Sequence, residues 1–570
     1  VIPDRAAAAT RRTFAVTAAV TALATAAIAI RGLAYTRGEL TYVIDDGGIH
    51  LSMAQQLART GTWGVSAGVF EPVSSSPAWT LLLAALHRLA GGRVAAWWPL
   101  LANLVAAGWV CWLVARHQAV ARVGARAWGA WVFALTAPLA AWFLPGLAAT
   151  GMEHTLQAAL WIVVLVHLDR VCGTDPAGAP AGAREVWLVA AALAVAAAVR
   201  YETLFLAGGC VIALWSFTAG TAGWRRVATR GTGWLAAAAA PVVVMGVINL
   251  GFGRSFLPNS ILRKSGLAGE TTVVPGPGEL ARRLGSDPLL AGLLLAATIW
   301  ALWAWRRRDV PSGGYAAAIA VAGWAQLLLG DVGWYARYQA ALVCAGTLLA
   351  LRVLPSLVRP PHRQAALGAL ALVLVLGSLN RVDLLRRAPL AMSNTWRQQV
   401  QVGRFLGWAY RGEPVAVTDL GYPSLHHDGP IVDLEGLGTY EVLLARRRGD
   451  LDRRFLEGLL RRRGVQAMAI YDLPYLRMFP RGWAAVGTWD HGQANVTPRW
   501  ERVAFFAPAG APADRLDRAL RAFAPRLPEG VVYRDRERIL GDYLDALGRR
   551  RAAGGADRRD TVRPPGPTTG

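Results

Sequence analysis

Apolar residues gather into long runs over the first two-thirds of the chain and break into short ones after about residue 390. A helix needs about 20 apolar residues to cross a hydrocarbon core. Runs near 13–34, 94–115, 127–148, 155–170, 186–199, 203–219, 232–251, 287–305, 314–330, 336–358 and 364–380 approach or reach that length and predict eleven membrane spans. The first follows Arg11 and Arg12 as a signal peptide would. Further spans follow it, so it reads as a retained anchor. Ser76–Leu89 is apolar but too short to cross, and reads as an interfacial or re-entrant helix. Ile49, Met53 and Leu57 stand at i, i+4 and i+8, one apolar stripe suited to a membrane surface. Past residue 390, β-like runs at Val415–Thr418, Ile431–Leu434 and Val465–Tyr471 alternate with Arg-rich helical stretches such as Glu441–Arg463. The expected organisation is a helical membrane domain over 1–389, a soluble α/β domain over 390–545 and a disordered tail over 546–570, rich in Arg, Gly and Pro. No Gly-rich phosphate fingerprint follows a strand, and no internal repeat is visible.

Composition supports this division. Apolar residues make up 54% and charged residues 17%, against about 25% charged in an ordinary soluble protein. Mean hydropathy is +0.32. The net charge is +23, but the basic residues separate apolar runs instead of forming one patch. That is a topology signal, so the bilayer is an expected partner and nucleic acid is not. Cys111, Cys172, Cys210 and Cys344 lie in or beside apolar runs, without metal or disulfide spacing. With the N-terminus inside and the runs alternating, five arginine-rich groups fall in cytoplasmic loops: Arg116, Arg122 and Arg126; Arg170 and Arg184; Arg225, Arg226 and Arg230; Arg306, Arg307 and Arg308; Arg359 and Arg363. A crossing by Ser76–Leu89 would turn the first group outward. Eleven spans thus predict a multi-pass plasma-membrane protein with its C-terminal domain outside.

The unusual polar clusters then share that outer side. They are Asp45-Asp46; Glu71, followed by Ser76-Pro77-Ala-Trp79; Gly151-Met-Glu153-His154; Arg200-Tyr201-Glu202; Leu257-Pro258-Asn259-Ser260 with Arg263-Lys264; Asp331 to Trp334 and Arg337; Thr418-Asp419-Leu-Gly421-Tyr422; and Val432-Asp433-Leu-Glu435-Gly436-Leu437. Each has an ordinary reading. Asp45, Asp46 and Glu153 cap helices. Arg200 with Glu202, and Asp331 with Arg337, neutralise each other. Arg263 and Lys264 sit in a solvated loop, and Asp419 and Asp433 end strands. Ionisable groups at a membrane boundary are costly unless paired or solvated, so their convergence on one side points instead to a site. Lys264 is the sole lysine in an arginine-biased chain, which favours a chemical role.

An Asp-Asp pair after the first span, an outer-loop helix and Ser-Pro-x-Trp before an apolar segment resemble the GT-C membrane glycosyltransferases. Asp45-Asp46-Gly-Gly-Ile49, Ser76-Pro77-Ala-Trp79, Gly151-Met-Glu153, Leu257-Pro258-Asn259-Ser260 with Lys264, Thr418-Asp419-Leu-Gly421 and Val432-Asp433-Leu-Glu-Gly436-Leu437 are similar to the actinobacterial terminal β-(1→2)-arabinofuranosyltransferase family. The resemblance covers about 40 to 440. It departs at Glu71-Pro-Val, where a Glu-Gly-Tyr-like turn is expected, and at Arg200-Tyr-Glu, where relatives have Arg-Pro-Asp.

The resemblance implies a GT-C-like helical membrane fold and an inverting transfer of arabinofuranose. The donor would be a polyprenyl phosphate sugar and the acceptor a cell-wall arabinan on the outer face. Asp45 is then the expected base, with Asp46 orienting it, binding acceptor or holding a metal. Arg263, Lys264, Arg337 and His154 would meet the donor phosphate. Glu71, Trp79, Glu153, Tyr201, Asn259 and Trp334 would line the substrate. Trp408, Trp483 and Trp489 would stack on sugar rings, although interfacial aromatics also serve as anchors. No cofactor is required by the sequence. A divalent cation could join two carboxylates to a phosphate, but no dedicated metal motif is present. The competing classes are a transporter or flippase of lipid-linked sugars, a non-catalytic wall-binding or sensor protein, and a GT-C enzyme with another donor such as polyprenyl-phosphate mannose. A transporter would show repeated halves and charges at mid-membrane.

Overall fold

The structure, a computed structural model, describes residues 2–90, 95–117, 128–173, 182–264, 275–307, 312–471 and 480–535. The tail 546–570 lies outside the described residues. The long apolar runs form α-helices. Among the described residues, seven are long and apolar enough to cross a membrane: Thr10–Tyr35, Trp98–Arg116, His154–Cys172, Thr203–Ala222, Trp224–Gly251, Pro288–Arg307 and Ala340–Leu357. Pro360–Leu376 and Leu379–Ala409 pass the same test together across a 60° bend, which makes eight.

Shorter apolar helices make up the difference from the expected eleven. Ala183–Val199 and Gly313–Leu329 have 17 residues each, about 26 Å of helix against a core of about 30 Å. The run 127–148 is not one helix. Trp128–Thr136 stops just before Ala137-Pro138, where the proline disfavours helical backbone at the residue preceding it. The chain turns, and Leu144–Thr150 starts afresh after Phe143, whose φ is 53°. Pro77–Leu89 is a separate 13-residue helix that opens on its proline.

Small residues allow the helices to approach closely. A Cβ on Gly209 would overlap the Ala318 carbonyl of Gly313–Leu329, and one on Gly129 would overlap the Gln364 carbonyl. Such contacts drive helix association where lipid removes the hydrophobic gain. The interior of the bundle is a continuous apolar cluster that includes Trp142, Trp161, Leu165, Leu206, Tyr315 and Leu348.

The C-terminal domain carries one six-stranded sheet: β1 (Val415–Val417), β2 (Ile431–Asp433), β3 (Ala467–Tyr471), β4 (Trp483–Asp490), β5 (Arg502–Pro508) and β6 (Val532–Asp535). The order is β2-β1-β3-β5-β4-β6. β1 runs parallel to β2 and β3, and the remaining pairs are antiparallel. One face packs on an aromatic core in which Phe405 meets Trp489, Phe505 and Phe523 at 5.3, 5.4 and 5.5 Å. The other face covers Leu456, Leu459 and Leu460 with Met468, Ile470 and Phe506. The sheet therefore lies between two helical layers. The C-terminal ends of its three parallel strands carry Asp419, Asp433 and Tyr471.

Polar side chains within the bundle are paired at its ends. Asp169 meets Ser312 at 3.2 Å and Arg352 at one end. Near the bend, Arg381 and Asp287 are both buried and paired, and Asp287 also accepts from the Leu290 N–H at 3.1 Å and from Gln339 at 2.9 Å. Removing one partner of such a pair strands a buried charge. Arg381→Ala is therefore expected to cost about 3–5 kcal/mol and to lower the unfolding temperature of the purified protein in detergent. A melting curve that overlays the parent's would show that the pair contributes nothing.

Candidate active site

The first helix, Ile2–Tyr35, delivers the chain to a buried segment, Tyr42-Val43-Ile44, and then to Asp45 and Asp46. Asp45 occupies the N-cap position of Asp46–Thr60, yet its side chain makes no capping bond there. Its carboxylate instead accepts the backbone N–H of Gly421 at 2.6 Å and of Tyr422 at 2.9 Å. Capping is thus the right reading of Asp45, but of a helix 376 residues away, Gly421–His426, in the sheet domain. Tyr422 completes the clasp: its hydroxyl accepts the Tyr42 N–H at 2.8 Å. Tyr42 in turn donates to the Ala96 carbonyl at 2.5 Å and accepts the Leu100 N–H at 3.0 Å.

This geometry explains the glycines of both motifs. A Cβ on Gly421 would overlap the Asp45 carbonyl and lie 2.8 Å from its carboxylate. A Cβ on Gly48 would stand 2.7 Å from the Tyr422 nitrogen, and one on Gly47 2.8 Å from the Thr150 carbonyl. No side chain fits where the two domains cross.

Asp46 faces the other way and pairs with Arg337. Arg337 is 1% exposed. It also donates to the Tyr338 hydroxyl at 2.9 Å and to the Met152 sulfur at 2.7 Å. The backbone that delivers it is strained. Trp334, Tyr335 and Ala336 all have positive φ, at 44°, 62° and 54°, at a cost of about 1–2 kcal/mol per residue. Gln339 accepts the Gly333 N–H at 3.1 Å, and Tyr335 donates to the Leu384 carbonyl at 3.1 Å, which hold the turn in place. Strain of this kind collects at functional sites.

Behind Asp46 lies a buried hub. Glu153 accepts Ser76 Oγ at 2.6 Å and Arg200 at 2.7 Å, with His50 Nε2 at 3.5 Å. Arg200 also grips Glu202, with its Nε at 3.0 Å. The Arg200 turn is stapled by Thr203, whose hydroxyl donates to the Ala196 carbonyl at 3.0 Å and accepts Trp161 Nε1 at 3.1 Å. His154 and Tyr338 meet edge to face at 5.9 Å.

The two carboxylates titrate in opposite directions. Burial, and then the nearby Asp419 carboxylate, push Asp45 well above the usual range, against the two N–H bonds it accepts. Burial works the same way on Glu153, but Arg200, His50 and His154 outweigh it and hold this carboxyl well below the usual range. Burial also lowers His50, against the attraction of Glu153 and Asp46.

The remaining expected residues divide. Glu71 and Asn259 meet each other at 3.2 Å. Glu71 also takes Arg254 at 3.0 Å, and Asn259 donates to the Leu437 carbonyl at 2.9 Å. They fasten the segment 254–263 to the sheet domain. Arg263 pairs with Glu435 at 2.8 Å. Lys264 closes the helix Asn259–Lys264, and its side chain lies outside the described residues. Tyr201 is buried in the Arg200 turn. Trp79 is buried in a cluster with Ala54, Leu83 and Ala84, away from any open surface. Trp334 is 51% exposed and joins none of these networks. Trp489 lies in the core of the sheet domain, and Trp408 is exposed beneath Arg526. Arg337, expected at a phosphate, is committed to Asp46. His50, Ser76, Arg200 and Tyr338 complete the hub and were not singled out as site residues. Among the described residues, no group of three or more His, Cys, Asp or Glu side chains is placed to hold a metal ion.

A family model described as a domain of unknown function, DUF8728, matches residues 391–506. That span opens in the helix Leu379–Thr395 and closes in β5. No curated protein sequence matches the chain. Among solved structures, the chain is similar to ArnT from Cupriavidus metallidurans bound to undecaprenyl phosphate, at 16% identity and a TM-score of 0.46, over 86% of this chain and 98% of that one. The apo state of ArnT gives 16% and 0.44, over 85% and 97%. The archaeal oligosaccharyltransferase AglB from Archaeoglobus fulgidus, in complex with an inhibitory peptide and a dolichol-phosphate, gives 12% and 0.45, over 88% and 77%.

Because Gly421 has no room for a side chain, Gly421→Ala must part the sheet domain from Asp45. Limited proteolysis of the purified protein is expected to cut faster within 396–420 in this variant than in the parent. Identical digestion would show that the clasp is dispensable to the seam.

Proposed function

We propose that the chain is an inverting GT-C membrane glycosyltransferase that uses a polyprenyl-phosphate sugar, arabinofuranose by the resemblance of its motifs, and extends a cell-wall glycan at the outer face. The Asp45 carboxylate carries this reading. It lies at the membrane exit of the first span, is half-buried, takes no cation among its hydrogen-bond partners, and has a raised pKa. Those are the properties of a general base near neutral pH.

In the transfer, the acceptor hydroxyl oxygen attacks the anomeric carbon, and its proton passes to Asp45. The bond from that carbon to the phosphate oxygen breaks, and the electron pair leaves with polyprenyl phosphate. Asp46, fixed by Arg337, orients the acceptor. The Glu153 hub supports both by locking Asp46–Thr60 through His50 and the Arg200 turn through Glu153 itself. The charged groups of the site gather at one end of the bundle and not at mid-membrane, which favours transfer at a surface over transport.

Orientation is tested by cysteine labelling. The helix Trp224–Gly251 begins with Arg225, Arg226 and Arg230 at the end far from the site, and Pro288–Arg307 ends with Arg306 and Arg307. By the positive-inside rule, the site end then faces outward. A cysteine at the exposed Asp450 is expected to react with an impermeant reagent in intact cells. Labelling only after the membrane is opened would reverse the orientation.

Asp45→Asn removes the base and also replaces one N–H acceptor with a donor, which loosens the seam by about 1 kcal/mol. Transfer from a polyprenyl-phosphate sugar is expected to fall on the order of a hundredfold or more, with a smaller loss for Asp46→Asn. The base must be ionised, so parental activity should fall as pH drops through a pKa above the usual carboxylate range. That acid limb should vanish in Asp45→Asn. Parental rates and an unchanged pH profile in Asp45→Asn would leave the residue only its capping role.

A further inference from the structure

The loop after β2 is built tightly around one side chain. Asp433 accepts the backbone N–H groups of Glu435, Leu437 and Gly438 at 2.8, 2.5 and 2.7 Å. Gly436 takes φ 85°, and a Cβ there would stand 2.9 Å from the Leu443 nitrogen. Gly438 packs on Leu420, next to the clasp residue Gly421. The loop therefore has little freedom, and it fixes where Glu435 points.

Glu435 points at three guanidinium groups. Arg263, from the outer loop, donates to its carboxylate at 2.8 Å and to its carbonyl at 3.1 Å. Arg446, from the helix Tyr440–Arg448, and Arg499, from the β4–β5 connection, each stand 3.7 Å from the same carboxylate. The segments that carry them are held in place, that of Arg499 by Gln398, which donates to the Trp500 carbonyl at 2.8 Å. The outer loop is tied down by Arg254 stacked over Tyr440 at 5.3 Å and by the Ser255–Tyr440 hydroxyl contact at 2.8 Å. Arg446 donates to the Leu434 carbonyl at 3.1 Å, and its Nε–H is buried with no acceptor. Among the described residues, Glu435 is the one carboxylate that pairs with any of these three guanidinium groups, so the cluster gathers more positive than negative charge. The Asp433 carboxylate, the nearest other acid on this loop, is committed to backbone N–H groups. The cluster adjoins the base, because Asp419, which acts on Asp45, itself feels the Glu435 charge.

We propose that Arg263, Arg446 and Arg499 form a phosphate seat in the sheet domain, and that Glu435 is its internal occupant, displaced when a phosphate enters. Guanidinium forks on rigid segments match the oxygens of a phosphate, which can engage more of their N–H groups than a carboxylate does. The proposal rests on the glycosyltransferase reading only in taking the phosphate to be that of the lipid carrier. The carboxylate keeps the arginines pre-arranged while the seat is empty, and it sets a threshold that only an anion of higher charge or better fit overcomes.

The test is direct binding, with no sugar transferred. The full chain in detergent is titrated with undecaprenyl phosphate and, separately, with inorganic phosphate. Arg446→Gln and Arg499→Gln should each weaken lipid-phosphate binding on the order of tenfold. Glu435→Gln keeps the shape and removes the competing charge, so it should tighten binding by a similar factor. A misfolded protein cannot imitate that gain. Competition by inorganic phosphate would assign the seat to phosphate as such, and lack of competition would assign it to the lipid-linked headgroup. Equal affinity in all four proteins, or weaker binding in Glu435→Gln, would overturn the seat. Arginine-dependent binding without any transfer activity would sink the glycosyltransferase reading and leave the seat standing. Parental kcat/KM and parental binding in the Arg446→Gln, Arg499→Gln double variant would sink the seat alone.

Discussion

A carboxylate held between two backbone N–H groups of another domain joins the halves of this molecule. Asp45 accepts from Gly421 and Tyr422, and two glycines, Gly48 and Gly421, clear the space for it. The chain between these residues is long, so closing the contact carries a large loop entropy. That cost is offset by burial across the seam, where Ile49, Met53 and Val65, from the helix Asp46–Thr60 and the loop after it, join Leu420 and Phe405 in one apolar cluster. The sheet domain is thus part of the wall of the site. Any shift of it moves the hydrogen bonds that hold Asp45.

Charge bookkeeping separates the roles of the acids. Glu153 and Glu202 share Arg200, and Asp46 has Arg337. Asp45 has only neutral donors, and Asp419 has only Tyr471 and Gln399 among its hydrogen-bond partners. Acids paired with buried guanidinium groups stay ionised and rigid. An acid surrounded by burial and like charge is the one whose proton affinity rises. The buried pairs therefore act as a frame that leaves Asp45 and Asp419 as neighbouring carboxylates with neutral hydrogen-bond partners and raised pKa values.

Much of this was legible in the chain, and what was hidden has physical causes. Apolar runs located nearly every helix because burial and lipid impose the same demand. Length alone could not show that Ala137-Pro138 would break one run. The three parallel strands stood out because they are short, apolar and buried on both faces. The antiparallel strands β4 to β6 did not, because Ala, Gly and Arg interrupt their alternation. Motif order brought Asp45, Asp46, Glu153 and Asp419 to one side. Partner choice was not visible, since a hydrogen bond between residues 45 and 421 leaves no local pattern. His50 and Ser76 were passed over for the same reason. Each is an ordinary residue in its own helix or loop and gains meaning only across from Glu153.

The clasp and the arginine cluster also stand in a fixed relation to one another. Both hang from the C-terminal ends of neighbouring parallel strands, β1 and β2, whose register pairs Val417 with Asp433. Ligands of α/β sheets favour this edge because loops there converge while the strands beneath stay rigid. In the proposed transfer Asp45 and the arginine cluster must lie near each other, yet a guanidinium that reached Asp45 would favour its charged form and weaken it as a base. Two loops on adjacent strands meet both demands. Gly438 against Leu420 sets their spacing. Glu435 holds the arginines, and Gly421 with Tyr422 holds Asp45. The sheet thereby holds opposite charges close without letting them cancel, which a single flexible loop carrying both could not do.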